Sequence, residues 1–342
     1  MYYFITNIHG AGGNALLVWK KIKKILISRG VPFKLLLSER KEHATELARS
    51  VCENADSDKN IIVVGGDGTI NEVLNGITEK DFSNVKFGVI PTGSGNDFCR
   101  GAGIKRGSRN TKKVLEKVLS SSVRKMDVGK VTFEENAVSE KTLSEQASDG
   151  GTEKSRYFGI SSGIGMDAIV CRKVDSSSLK KYLNFFKLGG LAYILFTLHT
   201  LCTMKFYKVK VKLSSNESAS EGSSENLSEK STVFHFERLI FLSAMNLKAE
   251  GGGVKMAPKA LCDDGKLSLC AVNGFPRFVS YLVFPFLVLG IHSKLKGFTV
   301  RKFDSLEVES DSPMVLHTDG EFAGEVTKVS WKVLPSVLQL LN

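Results

Sequence analysis

The sequence predicts a doubly wound α/β domain followed by a β-rich, sandwich-like domain. Three observations carry that expectation. Up to about residue 125, apolar β-type runs alternate with helical segments, the pattern of a parallel sheet with right-handed crossovers. From residue 126 onward, β-type runs follow one another with loops between them, as in antiparallel sandwiches. A length of 342 residues exceeds what one typical core supports and points to two domains.

In the first part, a β-type run at residues 2–6 enters a polar glycine loop containing Asn7, Ile8, His9, Gly10 and Ala11, followed by a helix over 14–29. A second strand at 33–37 passes through Ser38 to a helix over 43–52. The third unit, residues 61–76, reads IIVVGGDGTINEVLNG: a strand, a tight loop and an apolar-periodic helix. A fourth strand at 87–90 leads into PTGSGNDF, which contains Ser94. Loops that follow strands lie along one edge of a parallel sheet, so these four loops are expected to converge on one crevice. Gly65, Gly66 and Gly68 let a phosphate approach the backbone at a helix N-terminus. Asp67 beside phosphates is repulsive unless a cation such as Mg²⁺ or a Lys lies between, which points to a nucleotide triphosphate with its metal. A glycine turn with an N-capping Asp is the simpler alternative for this loop taken alone.

In the second part, strands are expected at 127–133, 156–161, 207–213, 234–243, 267–271 and 305–309. Two Ser/Glu-rich segments, 134–154 and 214–231, cannot supply a core and read as flexible connections between strands. Two apolar helical stretches, 179–204 and 278–292, are at the short end for a membrane span and are expected to be buried or to line an apolar cleft. Near the end, MVLHTDGEF places Asp-Gly between β-type runs, a hairpin signal. Alternation along extended backbone would put Asp319 and Glu321 on one face, and a phosphoryl transfer needs such a carboxylate to orient and deprotonate the accepting hydroxyl.

The formal net charge is +11 although residues 134–153 hold six acids against one Lys and residues 214–230 four against one. The rest of the chain is therefore strongly basic and suits polyanions: nucleic acid, anionic membrane or phosphorylated substrates. No recognition motif or aromatic-basic platform supports nucleic acid. Six cysteines without CxxC spacing, behind an N-terminus that lacks a signal-peptide pattern, suggest reduced thiols in a cytoplasmic protein.

GGDGTINEVLNG, VIPTGSGNDF, APKALCDDGKL and HTDGEF, in this order over nearly the whole chain, resemble the diacylglycerol kinase catalytic-domain family. The similarity is nearest its soluble bacterial lipid kinases, relatives of the sphingosine kinases. The resemblance implies an N-terminal domain akin to the phosphofructokinase and NAD-kinase fold (residues 1–125, completed by 325–342) and a β-rich lipid-substrate domain (126–324), with ATP in the cleft between them. It implies nucleotide contacts from Asn7 through Ala11, where the family's Asn-Pro is Asn7-Ile8, and from Ser38. Further contacts are implied for Gly65, Gly66, Asp67, Gly68, Thr69, Ile70, Asn71 and Glu72, and for Ser94. It places the general base in the DGE segment, with Asp319 favoured and Glu321 as its partner or a metal contact. It also implies a structural Mg²⁺ held by Asp264 and the carbonyls of Leu261 and Lys266.

These features predict ATP-dependent, Mg²⁺-assisted phosphorylation of a lipid hydroxyl by a cytoplasmic protein peripherally associated with an anionic membrane surface, a homodimer being one further expectation. An NAD kinase shares GGDGT, but Asn71-Glu72, the PTGSGNDF loop and the apolar helices favour a lipid acceptor. A catalytically inactive lipid- or nucleotide-binding regulator is a third reading, opposed by the intact Asp67, Asp319 and Glu321.

Overall fold

The computed structural model describes residues 1–7, 14–54, 59–106, 108–134, 153–176, 189–216 and 229–342. Four short apolar runs form the parallel strands β1 (Tyr2–Asn7), β2 (Phe33–Ser38), β3 (Lys59–Gly65) and β4 (Val85–Pro91), in spatial order β2-β1-β3-β4. Every residue of β3 is buried, as its continuous apolar sequence requires of a central parallel strand. The crossovers contain α1 (Asn14–Ser28), α2 (His43–Glu53), α3 (Asp67–Gly76), the short α4 (Asp97–Gly101) and α5 (Thr111–Leu119). Helix α1 contacts α5, and α2 contacts α3. Gly76 permits the second pairing, because a Cβ there would lie 2.4 Å from the Thr45 carbonyl oxygen and 2.6 Å from the Ala48 Cβ.

The second half is built mainly from antiparallel strands: β5 (Val123–Glu134), β6 (Glu153–Phe158), β7 (Ser161–Gly165), β8 (Tyr207–Asn216), β9 (Glu229–Met245), β10 (Leu267–Asn273), β11 (Phe298–Phe303), β12 (Ser305–Thr318) and β13 (Glu321–Leu341). Among the described residues, three α-helices interrupt them: α6 (Met166–Ser176), α7 (Gly189–Thr203) and α8 (Arg277–Leu289). Strand β12 pairs with β8 over its first half and with β7 over its last residues, so it turns a corner of the sandwich. Strand β13 runs antiparallel to β12 and β5, then pairs parallel with β4 at Gln339↔Lys86 and Leu340↔Phe87. It thereby joins both halves into one thirteen-stranded sheet over two hydrophobic cores.

Residues 135–152 and 217–228, the bulk of the two Ser/Glu-rich segments, lie outside the described residues. The strands they connect pair directly, to Glu134↔Glu153 and Asn216↔Glu229. The apolar stretch 179–204 is described from residue 189, as α7. For the other apolar stretch the cleft-lining alternative fits and full burial does not: α8 lines an apolar crevice with Ser280, Val283, Phe284 and Leu287, buries only Ser280 and Leu287, and leaves one apolar face exposed. Among the described residues no helix is long and apolar enough to cross a membrane. All six cysteines are free.

Candidate active site

The carboxyl ends of the parallel strands are level. Asn7 is in register with Ser38, Thr6 with Val64, and Gly65 with Pro91. Asn7 donates from Nδ2 to Thr69 Oγ1 at 3.5 Å, and the Thr92 amide donates to the Gly65 carbonyl at 2.9 Å. The two glycine loops touch backbone to backbone: a Cβ on Gly93 would lie 2.7 Å from the Gly66 Cα. Gly66, the N-cap of α3, has no side chain with which to cap the helix, so its first-turn amides lack the usual N-cap acceptor. Ser38 is buried at the end of β2 and its hydroxyl donates to the Arg40 carbonyl at 3.5 Å, while Ser94 is exposed on the second loop. Residues Ile8, His9, Gly10 and Ala11 lie outside the described residues.

Three polar residues of the GGDGTINE segment do something other than the sequence led us to expect. Asp67 accepts the amides of Asp97 at 3.0 Å and Phe98 at 3.1 Å, so its carboxylate caps α4 and ties the two glycine loops together. Burial raises its pKa, an effect those amide bonds oppose. Glu72 points to the other side and accepts the Ala44 amide at 3.1 Å, at the start of α2. Asn71 reaches across to the second domain and donates to Asp319 Oδ2 at 2.9 Å.

Asp319 and Gly320 form a two-residue hairpin turn between β12 and β13, with Thr318 paired to Glu321 and φ values of 51° and 87°. Both residues are left-handed, as such a turn demands, and the Asp-Gly dipeptide is suited to it. The backbone is not extended here, which corrects the expectation that alternation sets the two carboxylates on one face. Asp319 is almost fully buried and accepts four hydrogen bonds: Oδ2 from Asn71 Nδ2 and the Gly159 amide, both at 2.9 Å, and Oδ1 from the amides of Ile160 at 2.7 Å and Ser161 at 3.0 Å. Burial pushes its pKa up against the pull of these donors. Glu321 is partly exposed and lies over the Gly65–Gly68 glycine loop, its Oε1 2.8 Å from where a Cβ on Gly68 would be. Of the two carboxylates, Glu321 faces the glycine loop and Asp319 locks the turn that carries it.

Residues 1–131 match the diacylglycerol kinase catalytic domain, and residues 160–342 match the YegS C-terminal NAD kinase beta sandwich-like domain. The chain belongs to the diacylglycerol kinase catalytic-domain family. It is 29% identical over 326 residues to YtlR of Bacillus subtilis (strain 168), a candidate lipid kinase, covering 94% of each chain. It is 27% identical over 282 residues to a diacylglycerol kinase of Staphylococcus saprophyticus, covering 82% of this chain and 75% of that one. A crystal structure of a candidate diacylglycerol kinase from Bacillus anthracis str. Sterne shares the fold with a TM-score of 0.69 at 20% identity, covering 99% of this chain and 96% of that one.

The Mg²⁺ position that this family suggests was tested against the residues present. Asp264 accepts the Lys266 amide at 3.1 Å on one oxygen and pairs with the Lys302 ammonium through the other. The Lys266 side chain is itself bonded to Asp304 at 3.0 Å. The carboxylate already carries a cationic partner, so Leu261, Asp264 and Lys266 do not fit a structural Mg²⁺.

Behind the turn of this family member lies a cluster that sequence reasoning missed: Asp167, Glu250 and His317, whose ligand atoms all lie within 4.8 Å of one another. His317 Nε2 is 3.3 Å from Asp167 Oδ2, and the Gly320 amide donates to His317 Nδ1 at 3.3 Å. Ser161 donates to Glu250 and Ser243 to Asp167. Burial pushes Glu250 up to about 7. Burial alone would lower His317, but Asp167, Glu250 and Asp319 outweigh it and the net direction is upward. Only His317 lay in a motif; its partners stand far away in sequence and meet it through the β7, β12 and 250-loop geometry.

Proposed function

We propose that this kinase-family chain transfers the γ-phosphoryl group of ATP to a lipid hydroxyl, with diacylglycerol as the first acceptor to test. The observation that carries the reading is the position of Glu321: a partly exposed carboxylate against Gly68, at the uncapped start of α3. The level strand ends and the close contact of Gly66 with Gly93 fit a triphosphate cradle, since glycines there let an anion approach backbone amides at the start of a helix. Mg²⁺ bound with ATP would neutralise phosphate charge beside Glu321.

Glu321 takes the proton of the attacking hydroxyl as the new O–P bond forms and the bond to the β-phosphate oxygen breaks, releasing ADP. Asp319 is a positioning residue. Its four hydrogen bonds fix the Asp319-Gly320 turn, and through Asn71 they couple that turn to α3. Positioning and charge neutralisation are the main contributions such a site makes to phosphoryl transfer. The test is purified protein with ATP and diacylglycerol in mixed micelles, followed by mass spectrometry of the lipid. Phosphatidic acid is expected from the wild type and not from Glu321→Gln; a fully active variant would overturn the base assignment, and phosphorylation of NAD but of no lipid would overturn the acceptor class.

A further inference from the structure

Helix α8 carries a feature that phosphoryl transfer does not use. Phe278, Leu282, Phe286 and Leu289 recur at spacings of four, four and three residues, so they form one stripe on one helical face. These side chains are exposed by 71%, 58%, 41% and 62%, and the adjoining Ile291 by 55%. The opposite side of α8 faces the second core, where Ser280 and Leu287 are buried and Tyr281 donates to the Leu198 carbonyl of α7 at 2.9 Å. The helix is therefore anchored from beneath while its outer face presents large apolar groups to water. A contiguous exposed apolar face of this kind marks a contact surface.

The charges around the stripe indicate what it contacts. From Gly265 to Phe303 there is no Asp or Glu, while Lys266, Arg277, Lys294, Lys296, Arg301 and Lys302 all lie in that interval. Arg277 opens the helix, and Lys294 and Lys296 follow it closely; all three are exposed. Lys266 and Lys302 pair with Asp304 and Asp264, while the exposed Arg277, Lys294 and Lys296 stand at the two ends of the apolar stripe. Apolar side chains with cations beside them match an anionic bilayer, whose acyl boundary takes the former and whose phosphates take the latter. A protein partner would commonly meet mixed charges at the rim. Below the stripe, an apolar crevice between α7 and α8 reaches Met166, the residue before Asp167, which contacts His317 two positions from Asp319. A bilayer against α8 would thus lie on the side of the second domain that leads toward the catalytic turn.

We propose that the outer face of α8, with Arg277, Lys294 and Lys296, is a docking surface for an anionic phospholipid bilayer. Phe278, Leu282, Phe286, Leu289 and Ile291 enter the acyl boundary and the three cations meet lipid phosphates. The proposal deepens the lipid-kinase reading, and its test needs no turnover, so the two can fail separately.

The full chain is sedimented with vesicles of phosphatidylcholine alone or of phosphatidylcholine with phosphatidylglycerol, without ATP. Wild type is expected to bind the anionic vesicles, less so at high salt. Phe278→Glu with Leu282→Glu should lower partitioning by roughly a hundredfold, since each buried apolar side chain is worth about tenfold or more. Both side chains are exposed, so the melting temperature should hold, and Leu17→Glu, at an equally exposed leucine of α1, should bind like wild type. Lys294→Gln with Lys296→Gln should weaken binding to the anionic vesicles selectively. Wild-type-like binding by the Phe278/Leu282 variant, or no vesicle binding by wild type, overturns the proposal. Vesicle-independent dimerisation abolished by the same variant would assign the face to a second copy of the chain instead. Phosphorylation of a short-chain, water-dispersed diacylglycerol by the variant at wild-type rate would leave the kinase reading standing in either case.

Discussion

Replacing Asp319 by Asn and Glu321 by Gln separates the two carboxylates of the DGE turn. In Asp319→Asn one of the two oxygens becomes an NH₂ group. If it stands at Oδ2, it faces the Asn71 amide nitrogen and the Gly159 amide, both 2.9 Å away. A flip of Asn71 to compensate would break its bonds to the Tyr157 carbonyl at 3.3 Å and from Asn75 at 3.3 Å. Two buried donors thus lose an acceptor, at about 1–3 kcal/mol each, and roughly 2–6 kcal/mol in total is expected. With an unfolding entropy of about 2.1 cal/mol/K per residue, this is a fall in Tm of about 3–8 °C. Glu321→Gln, at a partly exposed site, should change stability by no more than about 0.5 kcal/mol and yet lower turnover by roughly 10²–10⁴-fold. Calorimetry and a micellar diacylglycerol assay on the same preparations give both numbers. An Asp319→Asn variant with wild-type Tm and the larger loss of turnover would return the role of base to Asp319 and refute the reasoning.

Three further predictions follow from the same geometry. Glu250, raised from 4.5 to about 7 by burial among Asp167, His317 and Asp319, holds a proton in the folded protein that the unfolded chain has released between those values. Stability should therefore fall as pH rises across that window, by at most about 1.4 kcal/mol per pH unit; Glu250→Gln should flatten the slope in a series of melts, and an unchanged slope would rule Glu250 out as its source. Gly68→Ala places a Cβ 2.8 Å from Glu321 Oε1, so turnover should drop while Tm stays, because the clash is with the end of a side chain. Gly76→Ala should do the reverse: its Cβ meets the Thr45 carbonyl and Ala48 at 2.4 and 2.6 Å, both on a packed helix, and a loss of about 1–3 kcal/mol should appear in chemical denaturation.

The parallel sheet and its loop edge were legible because short apolar runs ending in glycine loops admit few other arrangements, and the strands were located within about two residues at most ends. The uses of the acids were not. Asp67, Glu72 and Asp319 are alike in sequence, and each is assigned by backbone amides that tertiary structure brings to it: Asp97 and Phe98, Ala44, and Gly159 to Ser161 respectively. Strand β13 escaped notice because Pro335 and Gly324 break its pattern, although the register shift between Leu334 and Leu338 absorbs the proline. Helix α8 is apolar nearly all round, so its composition could not say which face has a partner. Contacts with α7 and the second core decide that.

A phosphate site surrounded by carboxylates would repel its own ligand, and in the proposed site most motif acids are held by backbone amides instead. The Asp67 carboxylate is held by the amides that open α4, the Glu72 carboxylate is turned to α2, and Asp319 is enclosed by four donors. Each acid is thereby used to join two pieces of the fold: loop to loop, helix to helix, and the Asp319-Gly320 turn to β7 and α3. That leaves Glu321 as the motif carboxylate that faces Gly68, carried on a turn that the hydrogen bonds of Asp319 hold. For a reaction governed by placement of the hydroxyl and phosphate, as proposed for this chain, rigid backbone behind the carboxylate that faces the glycine loop is the arrangement that geometry favours.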